Sequence, residues 1–140
     1  MMRIAASACP YLICLCLMTL PAAAAPSLVG TWFGQGEPYD SQEMYLDHFL
    51  ANGEIHSQFR TCVKGKPEDS TEDGTWQVSG KTLTIKMARH NGFPAPRVDV
   101  YRLDLVTPQR FKETFLALNF PFDERRVPDD FKMPSCELVS

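Results

Sequence analysis

The sequence predicts an all-β domain, an antiparallel barrel or sandwich of seven or eight short strands. Three observations predict it. Turn signals recur about every ten residues, apolar and polar residues alternate between them, and no useful stretch carries a helical period. Eleven prolines in 140 residues weigh further against long helices, since each removes a helical hydrogen bond.

Taken in order, the spans 28–35, 42–51, 54–63, 72–79, 81–89, 97–106 and 110–118 read as strands, with an eighth near 132–139. Asn52-Gly53 is a strong hairpin signal and Ser79-Gly80 a weaker one. "HNGFPAP" at 90–96 reads as a longer turn and Thr107-Pro108 as another. "KPEDSTEDG", with Glu68, Asp69, Glu72 and Asp73, reads as a solvated loop. "NFPFDERRVPDDFKMPSC" at 119–136, rich in proline and charge, is expected to be an irregular tail laid over the barrel and fastened by Cys136.

Alternation predicts a register for the first hairpin. A two-residue turn at Asn52-Gly53 sets Leu50 against Ile55, His48 against Ser57, Leu46 against Phe59 and Met44 against Thr61. A slide of one residue pairs Leu46 with Gln58 and Tyr45 with Phe59 and splits the apolar face, so the first pairing is expected. In the next hairpin Leu83, Ile85 and Met87 share a face opposite Thr82, Thr84 and Lys86. The expected interior wall is therefore Met44, Leu46, His48, Phe59, Leu83, Ile85 and Met87.

The N-terminus is expected to be a secretory signal peptide, residues 1–24. Arg3 precedes an apolar run from Ala5 to Leu20, and "PAAAAP" offers small residues for a cut between Ala24 and Ala25. Neither Cys14 nor Cys16 follows a small residue, and Cys9 lies too early, so a lipid-anchored form is not expected. Residues 25–140 then form one domain, with no membrane span and a periplasmic or secreted location. Export removes Cys9, Cys14 and Cys16 and leaves Cys62 and Cys136, for which a disulfide is the default in an oxidising space.

Charge and motif content exclude several functions. Without Arg3 the chain carries 17 acidic against 13 basic side chains and no basic cluster longer than Arg125-Arg126, which argues against nucleic acid as a partner. No nucleophile elbow or phosphate-binding glycine loop occurs, so no catalytic residues and no cofactor are expected. In the expected register His48 and His56 point to opposite faces and cannot share a metal ion, whereas a three-residue turn sets them directly across from each other. His48 reads either as a buried polar partner of Ser57 or as a ligand contact helped by Arg89 or Arg102.

Both tryptophans stand in Gly-Thr-Trp, at Gly30-Thr31-Trp32 and Gly74-Thr75-Trp76. "LVGTW" at 28–32 resembles the Gly-x-Trp signature that opens the first strand of lipocalins. "YLDHFLANGEIHSQFRT" followed by "EDGTWQVSGKTLTI" is similar to small exported bacterial lipocalin-like domains. The resemblance implies an up-and-down barrel of about eight strands, with Trp32 packed structurally across its closed end. It also implies a disulfide tying the tail to a barrel strand, and a cavity for a small apolar ligand. A clear helix after the barrel is missing and the chain is short for a lipocalin. The expected function is an exported, non-catalytic binding protein for a small apolar or amphipathic ligand. The alternative is an interaction module with a filled barrel, an enzyme inhibitor or envelope-assembly factor whose ligand is a protein partner.

Overall fold

The computed structural model describes residues 27–138. The expected signal peptide and its cleavage site lie outside the described residues. Eight strands pair in chain order, each antiparallel to the next: β1 (Gly30–Glu37), β2 (Asp40–Phe49), β3 (Glu54–Val63), β4 (Lys66–Ser79), β5 (Thr82–His90), β6 (Phe93–Val106), β7 (Arg110–Phe115) and β8 (Phe120–Val127). β8 pairs with β1 through Thr31–Val127, Trp32–Arg126 and Phe33–Arg125, which closes an up-and-down barrel. The short 3₁₀ turn Cys136–Leu138 follows.

Turn chemistry sets several strand lengths. Lys64-Gly65 and Asn91-Gly92 all have positive φ, the conformation that lets a two-residue turn follow the twist of the flanking strands. β4 therefore begins at Lys66, and the acidic segment expected to be a loop is its first half, paired with Ile55–Val63 of β3. Likewise β5 runs to His90 and β6 starts at Phe93, so 90–96 holds a tight turn between two strand ends.

The eighth strand is 120–127, not 132–139. Its inward positions include the buried Glu124, so the apolar-in, polar-out pattern that marks a strand is absent from "FPFDERRV". Pro121 is tolerated because the β1 ladder covers only Arg125–Val127 of this strand.

The first hairpin adopts the register one residue away from the expected one: His48 pairs with His56, Leu46 with Gln58 and Tyr45 with Phe59. The loop has three residues, Ala51 to Gly53, bracketed by the Leu50 N–H donating to the Glu54 carbonyl at 2.9 Å. Gly53 takes the left-handed conformation at φ +88°, and the Asn52 side chain accepts from the Glu54 N–H. Tyr45, Asp47 and Phe49 consequently face inwards, and Met44, Leu46 and His48 face outwards.

The outer face of β1–β3 is nonetheless covered. The chain after β8 returns over it, with Phe131 packed on Phe33 and Arg125 stacked against both rings. Arg60 donates to the carbonyls of Met133 and Pro134, and Cys62–Cys136 pins the segment. Met44 and Leu46 are thus buried, 1% and 7% exposed, on the side away from the barrel lumen.

One end of the lumen is packed solid. Trp32 is wholly buried among Leu28, Phe49, Ile55, Leu83, Leu103 and Phe111, edge-on to Phe111 at 4.8 Å between ring centroids. Its indole N–H donates to the Leu28 carbonyl at 2.7 Å, and the Arg126 guanidinium lies 4.1 Å over its ring. Trp76 packs partly buried beside this core, edge-on to Phe49.

Candidate functional site

Above that core the lumen opens into a cavity of about 500 Å³. The layering follows from strand alternation. Two residues beyond Phe49 on β2 lies Asp47, and two beyond Phe111 on β7 lies Glu113; on β8, Glu124 lies two residues from Arg126. These three carboxyl groups form the floor of the cavity. One step nearer the mouth stand Tyr45, Phe115, Phe122 and Tyr101, joined by Phe59, Ile85 and Met87 as an aromatic and apolar wall. Pro38, Tyr39 and Leu118, from the turns at this end, border the mouth together with Glu37 and Glu43.

Electrostatics divide the polar groups into paired and unpaired sets. Arg97 donates to Glu72 through both terminal guanidinium nitrogens, at 2.6 and 2.5 Å, and to Asp99 through Nε at 2.7 Å. Burial raises Glu72, but the Arg97 hydrogen bonds and charge, with help from His90, hold it below the usual carboxylate range. Those pairs also push the Arg97 guanidinium further up.

The floor acids have no such partner. Burial, together with mutual repulsion, raises Glu113 and Glu124 well above the usual range. Burial lifts Asp47 to about 6 even though the Ser57 hydroxyl donates to it, and burial with the charges of Glu43, Asp47 and Glu72 lifts Glu37 to about 7. The same burial and acidic field raise the Tyr45 and Tyr101 phenols. Oε2 of Glu113, Oε2 of Glu124 and the Tyr45 hydroxyl are buried without a hydrogen-bond partner.

No family model matches the chain, and no curated protein matches it in sequence. The site therefore rests on its own geometry.

Of the seven residues expected in the interior wall, Phe59, Ile85 and Met87 line the cavity. Leu83 is on the inner face but belongs to the solid core below it. Met44, Leu46 and His48 lie outside the barrel, for the register reason given above; Leu46 and His48 border a cleft beneath the tail. His48 does not pair with Ser57, which is bound to Asp47, and it sits 3.9 Å from Asp129. Neither Arg89 nor Arg102 approaches it: Arg89 lies beside Asp73 and Arg102 beside Asp104. His56, opposite His48, is instead bonded to Asp73 at 2.6 Å. No metal-holding group of three or more His, Cys, Asp or Glu occurs among the described residues.

The acids of the floor and Arg97 were missed because inward carboxylates read as solvent-facing in a sequence. One signal was available. In "DVYRLDL" and "RFKETF" the aromatic residues share the period-two phase of Asp99 and Glu113, so whichever face buries Tyr101 and Phe111 buries an acid too.

Proposed function

We propose that this chain is an exported, lipocalin-like binding protein that takes a small amphipathic ligand into the open half of its barrel. The observation that carries the reading is the cavity itself: about 500 Å³, with an aromatic and apolar band set between acidic groups on its floor and acidic groups at its mouth. That size fits small-molecule sites, which span roughly 300–1,000 Å³, and the aromatic band gives a ligand apolar surface to bury against. Burial of ligand surface against Phe59, Tyr101, Phe115 and Phe122 supplies the driving force. An unfilled lumen weighs against the alternative of an interaction module with a packed barrel. The Cys62–Cys136 bridge supports an oxidising, extracytoplasmic location.

The test is titration with the neutral fluorophore N-phenyl-1-naphthylamine. Saturable one-to-one enhancement is expected in the parent protein. Ile85→Trp, which projects a larger side chain into the cavity from a buried β5 position, is expected to weaken it at least tenfold while circular dichroism stays that of a β-barrel. Absence of saturable binding by the folded parent protein overturns the proposal.

A further inference from the structure

We propose that the ligand is an organic cation, a primary or secondary amine on an apolar body, which enters head first and is held by the carboxylates of the cavity floor. This inference rests on the binding function proposed above and adds the charge class of the ligand.

The first observation is what the cavity offers to a ligand and what it withholds. Its only arginine among the described residues, Arg97, is consumed by Glu72 and Asp99. His90, at the rim, already faces Glu72 at 3.2 Å. An anionic ligand therefore finds no free cation among the lining groups and meets acids at every level from floor to mouth. On the floor, by contrast, Asp47, Glu113 and Glu124 converge from three different strands.

A second observation is independent of the acid count. Glu113 is 5% exposed, Glu124 1% and Tyr45 2%; all three side chains border this space, and one oxygen of each is buried with no hydrogen-bond partner. Native proteins rarely leave buried polar atoms unsatisfied, and those that persist call for an explanation in function. An ammonium supplies two or three N–H donors from one atom, a geometry that suits acceptors converging from separate strands. It also brings the positive charge that three neighbouring carboxylates lack.

The wall above the floor completes the specification. Tyr45, Tyr101, Phe115 and Phe122 surround the space one step nearer the mouth, where aromatic faces attract a cation and an apolar body is buried. The polar head is thus placed deep and the apolar body outwards, the reverse of a barrel that takes a fatty acid tail first with its carboxylate at the mouth.

Three probes with one ring and one chain length decide the matter: 4-phenylbutylamine, 4-phenylbutanol and 4-phenylbutyrate, titrated calorimetrically at pH 7.5. The amine is expected to bind at least tenfold more tightly than the alcohol, and the acid more weakly than both. In the double variant Glu113→Gln/Glu124→Gln the preference for amine over alcohol is expected to fall to less than threefold, with alcohol binding retained. Single variants Glu113→Gln and Glu124→Gln, each expected to lose part of the preference, serve if the double variant does not fold. Alcohol binding equal to or tighter than amine binding in the parent protein overturns the cation assignment and leaves the binding function standing. A preference that survives the glutamate substitutions overturns the assignment of the floor. Failure of all three probes to bind while N-phenyl-1-naphthylamine still binds overturns the cation assignment, and failure of that fluorophore as well overturns the binding function itself.

Discussion

The two Gly-Thr-Trp copies use the same residues for different physical ends. At Gly30, φ is +131° and a Cβ would run into the Arg126 guanidinium, which is stacked on Trp32 and donates to the carbonyls of Ser27, Val29 and Pro108. The first glycine thus clears the way for the arginine that seals the closed end. Gly74 sits at a bulge in the β4–β5 ladder, where a Cβ would meet backbone: the Lys86 carbonyl and the Met87 Cα. Backbone yields less readily than a side-chain end, so the clash at Gly74 is the harder of the two to relieve. We expect Gly74→Ala to cost about 1–3 kcal/mol, the usual range for overpacking, as a lowered midpoint in urea unfolding. An unchanged midpoint would show that the two strands can separate at the bulge.

Among the elements, the segment after β8 has the least backbone pairing and the most side-chain anchoring. Phe131 against Phe33, the Arg60 bonds to Met133 and Pro134, and the Cys62–Cys136 bridge hold it over Met44 and Leu46. The bridge closes a loop of 74 residues, for which loop entropy sets a ceiling of about 4 kcal/mol. Cys62→Ser/Cys136→Ser is expected to lose about 2–4 kcal/mol of stability in denaturant unfolding yet keep ligand affinity, because the β1–β8 ladder closes the barrel without it. Loss of the cavity in that variant would make the tail part of the site. The covering tail was legible in its prolines and in the parity of the cysteines. The side of the sheet on which Met44 and Leu46 fall was not: both faces of β2 are buried, one by the core and one by the tail, so burial no longer selects the register. The choice passed to the Asn52-Gly53 loop, whose one additional residue reverses every side chain of β2.

At the scale of the whole molecule the acidic lumen sets the response to pH. Glu37, Asp47, Glu113 and Glu124 bind a proton more tightly folded than unfolded. Such groups stabilise the fold fully below their ordinary range, and that stabilisation is lost as pH rises through their raised values. For Glu37 and Asp47 the window is from about pH 4 to 7. Glu72, Asp69, Asp104 and Asp123 act oppositely: their carboxyls are lowered, chiefly by Arg97, Arg60, Arg102 and Arg110, and their contribution fades as pH falls below the usual carboxylate range. The thermal midpoint is therefore expected to be higher near pH 5 than at pH 8, and Glu113→Gln to raise it at pH 8 and flatten the profile. A midpoint that climbs steadily from pH 5 to 8 would mean that the floor carboxylates are not buried as described.

The sequence by itself determined the all-β class, the places of most strands and turns and the pairing of Cys62 with Cys136. These depend on local dihedral preference, alternation and cysteine count, all of which are properties of neighbours along the chain. Only the tertiary structure decided which face of β2 looks inwards and that "KPEDSTEDG" and "FPFDERRV" are strands. It alone also decided that carboxylates from β2, β7 and β8 meet on one floor. Those outcomes depend on barrel closure, which turns side chains distant in sequence towards a common axis, where an acid that looks solvated in its own strand is enclosed by the other seven.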